Sequence, residues 1–276
     1  MARVTGIDTK ERPYGWLAVN AIGSSLTGTL PILALALSWE ALSASGAVTP
    51  FQLPRLSAVF ARIWIDAIAG DLGLNAALTL YRALTGFAIA AIFGVTLGVA
   101  MSRNGAVRWL FDPVVSVGFP MPKIAFLPVI MLWLGVYDLS KIAMVIFDAI
   151  FPVVTATIAG VAGVDRYLIW SARNMGASES EVVWQIVLPA ALPQIMTGLQ
   201  VALPIALIVA VVAEMLMGGY GLGGAMVHAS RFADSQGVFA GIVEIAVVGY
   251  VLVKVMTLVR RRLLIWHQEA LAPSTV

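Results

Sequence analysis

Residues 190–217 read AALPQIMTGLQVALPIALIVAVVAEMLM, and this stretch decides the fold class. Its only charged side chain is Glu214. A helix needs about 20 mostly apolar residues to cross the hydrocarbon core of a bilayer, so this stretch is long enough to span a membrane. In lipid, backbone groups must bond within a helix or a closed barrel. The stretch therefore predicts a transmembrane α-helix.

Other apolar stretches repeat this character along the chain of 276 residues, of which 60% are hydrophobic and 12% are charged. Mean hydropathy is +0.93. A soluble domain carries about 25% charged residues, so too little polar surface is left here to coat a water-soluble body. We expect an all-α polytopic membrane protein with about six transmembrane helices, at residues 21–42, 74–101, 114–134, 142–164, 190–217 and 239–259.

Two regions outside these spans have their own pattern. Residues 1–16 are polar and of mixed charge, unlike a cleavable secretory signal, so we expect the first helix to be retained. Within residues 50–69, apolar side chains recur at helical spacing, which predicts an amphipathic helix lying at the membrane surface. The expected organisation is a cytoplasmic segment at 1–20, a first span with an external amphipathic helix at 21–73, a transmembrane domain at 74–266 and a cytoplasmic tail at 267–276.

Basic residues predict the orientation, because cytoplasmic loops collect Lys and Arg. With six spans, both ends of the chain lie on one side, and that side holds most of the basic residues. We therefore expect both termini in the cytoplasm. The cytoplasmic set is Arg3, Lys10, Arg12, Arg103, Arg108, Arg166, Arg173, Arg260, Arg261 and Arg262, and the external set is Arg55, Arg62, Lys141 and Arg231.

Several function classes find no support in the composition. The chain has no cysteine and two distant histidines, so nothing indicates thiol chemistry, a metal site or a catalytic cluster. Basic residues punctuate apolar runs instead of forming a patch, which argues against nucleic-acid binding. The glycine-rich residues 218–224 lack the lysine of a phosphate-binding loop, so we interpret them as a tight, closely packed turn.

The cytoplasmic loop at residues 165–189 reads DRYLIWSARNMGASESEVVWQIVLP. Gly176 separates two helical patterns and is suited to end the first one in a left-handed conformation. Ser178 and Glu181 have the spacing of a capping box at the start of the second. Trp170 and Trp184 are large apolar groups for a solvent-facing loop. The loop is either a plain connector or a docking site for another protein.

Charged residues inside the predicted spans are costly and face a protein interior or a cavity. They form either internal ion pairs or part of a solute pathway. Our candidates for a pathway or gate are Arg82, Asp148, Glu214 and, in the glycine-rich turn, Tyr220. The other intramembrane charges are Lys123, Glu244 and Lys254, with Glu40 at the end of the first span.

The 165–189 loop resembles the EAA loop of bacterial ABC importer permeases, which couples the permease to its ATPase. Ala172, Gly176, Ile186 and Leu188-Pro189 stand in register, whereas Trp170-Ser171-Ala172 replaces the usual Glu-Ala-Ala. We call residues 165–189 the coupling loop. Other strings are similar to the nitrate, sulfonate, taurine and bicarbonate branch of these permeases: 119–122, 127–128, 132–135, 188–193, 213–216, 221–223, 238–242 and 260–264.

This resemblance, over roughly residues 74–266, implies a permease subunit in the bacterial cytoplasmic (inner) membrane. Its implied partners are a second copy of the chain, membrane lipid, two ABC ATPase subunits that bind ATP and Mg, and a periplasmic or lipid-anchored solute-binding protein. The chain itself would carry no cofactor and would pass a small anionic solute inward by alternating access. The implied ATPase-coupling residues are Trp170, Ser171, Ala172, Gly176, Ala177, Ser178, Glu181, Ile186, Leu188 and Pro189.

Two other functions remain open on the residues alone. An ion-coupled secondary transporter would also explain buried charges and helix prolines, although the chain does not show two similar halves. A membrane enzyme would require a cluster of reactive side chains at one membrane face, and the sequence offers none that is apparent. Co-purification of an ATPase would separate a permease from both alternatives.

Overall fold

A computed structural model describes residues 15–266, apart from the side chains of residues 15–29 and Ala69. All regular secondary structure in this part of the chain is helical. The helices are α1 Gly15–Ala44, α2 Leu56–Ala69, α3 Asp71–Arg103, α4 Gly105–Gly118, α5 Leu127–Leu134, α6 Asp138–Ala162, α7 Arg166–Asn174, α8 Glu179–Glu181, α9 Leu188–Met217, α10 Leu222–Arg231 and α11 Ser235–Leu263.

Four helices among the described residues are long and apolar enough to cross a membrane. They correspond to α3, α6, α11 and the helix formed by α8 and α9 together, and they contain four of the predicted spans, apart from the last two residues of the span at 142–164, which lie beyond the end of α6. The predicted span at 21–42 lies in α1, whose described side chains begin at Leu30 and form a stretch shorter than a span. The prediction of an all-α polytopic membrane protein is confirmed, with four or five candidate spans in this part of the chain.

The third predicted span, residues 114–134, is not one continuous helix, and that prediction was wrong. Helix α4 and the helical segment Lys123–Leu134 meet at an angle of 99°. The proline pair Pro120 and Pro122 removes two backbone donors at the bend. The ammonium of Lys123 donates to the carbonyl of Phe119 at 3.0 Å and so satisfies an acceptor that the broken helix leaves free.

The described residues divide into two compact units, with the boundary between Ala61 and Arg62 inside α2. In the first unit, the Glu40 carboxylate near the end of α1 accepts hydrogen bonds from the Ser57 N–H and hydroxyl at 3.2 and 2.9 Å. These bonds fix the end of α1 to the start of α2. The domain boundaries expected from the sequence stay predictions.

The core of the second unit lies between α3, α6 and α9. Small residues let these helices approach closely, as is typical of helix packing in membranes. A Cβ placed on Gly86 of α3 would stand 2.5 Å from Val145 Cγ1 of α6, and one on Gly98 would stand 2.6 Å from Thr157 Cβ. Helices α3 and α6 are therefore in backbone-to-side-chain contact along much of their length.

Candidate functional site

The coupling loop has the local geometry that its sequence predicts. Gly176 follows α7 with a φ of +87°, a left-handed conformation that glycine adopts without strain. The Ser178 N–H donates to Glu181 Oε2 at 2.7 Å, and the Glu181 N–H donates to Ser178 Oγ at 3.3 Å. The predicted helix end and capping box are both confirmed.

The coupling loop packs around a small apolar cluster that it shares with α9. Ala172 is buried there with Val182 and Val187, and Ala177, Ile186 and Leu188 pack partly against them. The two tryptophans point away from this core, with 53% of Trp170 and 69% of Trp184 exposed. The remaining predicted coupling residues are exposed: Ser171, Gly176, Ser178, Glu181 and Pro189.

An ion-pair cluster fixes the coupling loop to the end of α3. The carboxylate of Glu179 lies 2.8 Å from Arg173 Nη2 and is also paired with Arg103 in the last turn of α3. Sequence reasoning missed this cluster, because Arg103 and Glu179 are far apart in the chain. The bridge joins the loop to a transmembrane helix other than α9.

At the opposite end of α3, the structure brings two of the predicted pathway residues together. Arg82 Nη1 donates to Glu214 Oε1 at 2.6 Å, and the Thr79 hydroxyl contacts both oxygens of the same carboxylate at 3.0 and 2.9 Å. Both ionic side chains are buried. A buried charge needs a partner and further hydrogen bonds, and this arrangement supplies both. The internal ion pair that the sequence left open is therefore present.

The same cluster holds the glycine-rich turn. Arg82 Nη1 donates to the carbonyl of Tyr220 at 2.7 Å, while the side chain of Tyr220 is 70% exposed. The N–H groups of Gly221 and Leu222 donate to Asn75 Oδ1 and Thr79 Oγ1, both at 2.9 Å. The turn is also close-packed, since a Cβ on Gly224 would stand 2.0 Å from the Gly219 carbonyl oxygen.

Lys141, which the sequence assigns to the external side, lies in the first turn of α6 and is buried. Its ammonium donates to the carbonyl of Gly218 at 2.8 Å. The sequence could not show this acceptor, because it belongs to a turn that follows a different helix.

Asp148, the remaining predicted pathway residue, lies in another part of the structure. Its carboxylate is 3.0 Å from the ammonium of Lys123, which also lies 4.9 Å from the centre of the Phe151 ring. This pair therefore belongs to the bend between α4 and α5. The four predicted pathway residues accordingly fall into two sites, with Arg82, Glu214 and Tyr220 in one and Asp148 in the other.

A cavity of about 660 Å³ opens beside the glycine-rich turn, between α2, α3, α10 and α11. Arg62 of α2 lies across it, with its guanidinium 2.6 Å from Asp234 and 3.0 Å from Asp66. The N–H of Gly237, followed by the Arg62 guanidinium, lowers the pKa of Asp234. Glu244 also lines the cavity and has one buried carboxylate oxygen.

Known proteins share this architecture and sequence. Residues 90–265 match the family described as binding-protein-dependent transport system inner membrane component. The taurine transport system permease protein TauC of Escherichia coli (strain K12) is 32% identical over 249 residues, covering 88% of this chain and 89% of that protein. The putative aliphatic sulfonates transport permease protein SsuC of Bacillus subtilis (strain 168) is 31% identical, covering 87% of each.

More distant similarities agree with this pattern. The nitrate import permease protein NrtB of Synechocystis is 28% identical over 66% of each chain. A solved amino acid ABC transporter with histidines has a TM-score of 0.58 at 15% identity, covering 74% of this chain and 95% of that chain. The inward-facing MetNI methionine ABC transporter has a TM-score of 0.57 at 15% identity, covering 69% and 98%. These two structures show a shared fold.

The family match confirms the resemblance found in the sequence and disfavours the ion-coupled carrier and the membrane enzyme. ABC transporter permeases work with an ATPase and a binding protein. The chain therefore belongs to the family of binding-protein-dependent ABC importer permeases, and it is a transport subunit and not itself an ATPase.

Proposed function

We propose that this permease imports a small anion or zwitterion of the sulfonate or nitrate type by alternating access. The proposal is supported by relatives named for taurine, aliphatic sulfonates and nitrate. These solutes share a compact, trigonal or tetrahedral anionic group. The protein would lie in the bacterial inner membrane with both termini in the cytoplasm, as the distribution of basic residues favours.

In this proposal, two copies of the chain form the pathway and two ATPase subunits bind ATP and Mg on the cytoplasmic side. A periplasmic or lipid-anchored binding protein delivers the solute. The observation that carries the ATPase contact is the shape of the coupling loop. It packs around an apolar cluster shared with α9, has a capping box, and presents Trp170 and Trp184 to solvent. Exposed aromatic groups on a preorganised surface are typical of protein interfaces.

The proposed coupling residues have two kinds of role. Three of the exposed ones contact the ATPase: Trp170, Ser171 and Pro189. The others hold the loop in shape: Ala172, Gly176, Ala177, Ser178, Glu181, Ile186 and Leu188. ATP can shift the transport equilibrium only if the ATPase dimer binds the two states of the permease unequally, and a stiff loop would transmit that difference.

The pathway residues have separate proposed roles as well. Tyr220 is exposed and Asp148 is partly so, and these two are available to a passing solute or to a gate. Arg82 and Glu214 are buried and bonded to each other, so they would influence the gate through the turn that carries Tyr220. Neither of these roles requires the permease to bind the solute tightly.

Reconstitution in proteoliposomes tests the proposed function. The complex of permease, ATPase and binding protein should accumulate radiolabelled taurine, an alkanesulfonate or nitrate only with ATP inside, and calorimetry on the binding protein identifies which. Uptake by the permease alone, driven by a proton or sodium gradient, would contradict the proposal. So would a permease that never co-purifies with an ATPase.

A further inference from the structure

One buried guanidinium makes contacts that a solute site would not need. All three nitrogens of Arg82 are engaged: Nη1 with Glu214 and the Tyr220 carbonyl, and Nε and Nη2 with Asp138 at 2.8 and 2.7 Å. The Arg82 side chain is 4% exposed. Four of its five N–H groups have partners, and its burial leaves no open face for a passing anion.

The charges around Arg82 also balance. Two cations, Arg82 and Lys141, face two anions, Asp138 and Glu214. A neutral, hydrogen-bonded cluster offers no net attraction to an anionic solute. The cluster therefore has the composition expected of a group of side chains that links helices and does not bind solute.

Arg82 joins two turns that come from different parts of the chain. Residues 135–138 lead into α6 and end at Asp138, and residues 218–222 connect α9 to α10. We call these the outer turns, because they lie at the end of α3 opposite its contact with the coupling loop. Each outer turn presents one exposed tyrosine, with Tyr137 at 74% and Tyr220 at 70%.

The backbone of the second outer turn has little freedom left. Lys141 binds its first carbonyl, Arg82 its third, and Asn75 and Thr79 bind the following two N–H groups. These four side chains come from α3 and α6, while Glu214 of α9 accepts from the Gly223 N–H at 3.1 Å. Three transmembrane helices thus meet at a single turn.

We propose that Arg82 is a positioning residue for transport, joining the outer turns so that the outer ends of α3, α6 and α9 move as one rigid body. This inference rests on the proposed import function. Arg82 sets the rate at which the pathway opens and closes, and it leaves the affinity for solute and binding protein unchanged. Tyr137 and Tyr220 keep a fixed separation in every transport state.

The absence of cysteine from the chain makes a direct distance measurement possible. Spin labels are placed at Tyr137→Cys and Tyr220→Cys in one copy of the chain, with the second copy unlabelled, and the distance is measured in the assembled complex, without nucleotide and with ATP trapped. We expect one narrow distribution that is the same in both states. Arg82→Gln should broaden it in both states, and Arg82→Lys should restore it only in part, because an ammonium cannot reproduce the planar fork of donors.

Transport rates of the same variants, without the labels, provide the second measurement. Arg82→Gln should lower the maximal rate roughly tenfold or more, in line with the large effect of removing one partner from a buried ion pair. The concentrations of solute and binding protein that give half-maximal rate should stay unchanged. Arg108→Gln, an exposed arginine on α4, is the matched control and should behave as wild type.

Asp138→Asn keeps the test decisive if Arg82→Gln fails to assemble. Asp138 is half-exposed, and its substitution leaves the buried Arg82–Glu214 pair in place. A distribution as narrow as wild type in Asp138→Asn overturns the proposal. The proposal is also overturned if Arg82→Gln alters the half-saturating solute concentration and leaves the maximal rate unchanged. That result would show that Arg82 contacts the solute. A wild-type complex with the expected distances but no ATP-driven uptake contradicts the proposed function and leaves the rigid joint intact.

Discussion

Replacing Gly176 tests whether the shape of the coupling loop controls ATPase docking. The residue has a φ of +87°, and a Cβ added there would meet no atom within 4 Å. The cost of Gly176→Ala therefore comes only from the left-handed backbone, at about 1–2 kcal/mol. Gly176→Pro costs more, because proline fixes φ near −65° and deletes the N–H that donates to the Arg173 carbonyl at 3.0 Å.

This cost should appear in the affinity for the ATPase. A substituted loop relaxes away from the native turn and must return to it on docking, so the apparent affinity falls with the population of the native turn. At about 1.4 kcal/mol per factor of ten, Gly176→Ala should weaken docking up to roughly 5–30-fold. Gly176→Pro should abolish ATPase activity stimulated by the loaded binding protein.

The assay is binding of purified ATPase to the permease in nanodiscs, followed by stimulated ATP hydrolysis. Gly105→Ala at the start of α4 is the matched control, because a Cβ there also meets open space and its φ is not positive. It should bind as wild type does. If Gly176→Pro retained both wild-type docking and stimulated hydrolysis, the assignment of residues 165–189 as the coupling loop would be refuted.

Three further predictions concern packing, charge and the exposed loop surface. Gly86→Ala should lower the melting temperature, since its Cβ would stand 2.5 Å from Val145 Cγ1 and overpacking costs about 1–3 kcal/mol; an unchanged melting temperature would contradict the close α3–α6 approach. The pKa of Asp234 is lowered in the folded protein, so its carboxylate stabilises the fold. This contribution to the free energy of unfolding is complete above the ordinary aspartate pKa of about 3.9 and is lost as pH falls through the pKa of Asp234 in the folded protein. Thermal unfolding measured from pH 7 to pH 3 should therefore show an acid-dependent fall in melting temperature, and Asp234→Asn should reduce that fall. An equal fall in both proteins would argue against this contribution of Asp234. Trp184→Ala should leave the melting temperature unchanged and weaken ATPase binding by about 1 kcal/mol or more, measured in nanodiscs; full affinity would place Trp184 outside the interface.

Local features of the coupling loop could be predicted because their causes lie within a few residues. Gly176 is the residue that tolerates a left-handed φ, and Ser178 and Glu181 have the spacing at which two side chains cap each other's backbone. The long apolar helices could be predicted for a similar reason, since a bilayer-length apolar run has few other structures available. The structure agrees with both.

Pairings between distant residues could not be predicted. Arg82 was recognised as a buried charge, but its partners Asp138, Glu214 and the Tyr220 carbonyl are brought together only by the packing of three helices. The contact of Lys141 with the Gly218 carbonyl could not be predicted for the same reason. Pro120 and Pro122 are visible in the sequence, but the bend before Lys123 depends on contacts from α6 that the local sequence does not specify.

The stretch Val182–Val187 is π-helical and connects α8 to α9 without a break. Glu179–Met217 is consequently one helix of 39 residues. At about 1.5 Å per residue, Trp184 and Glu214 are separated by roughly 45 Å along the same helix. A tilt imposed at Trp184 by the ATPase would be carried toward Glu214 along this continuous helix, past the interior prolines Pro193 and Pro204, where a helix can kink. A small stroke in the cytoplasm would then become a displacement at the far side of the membrane.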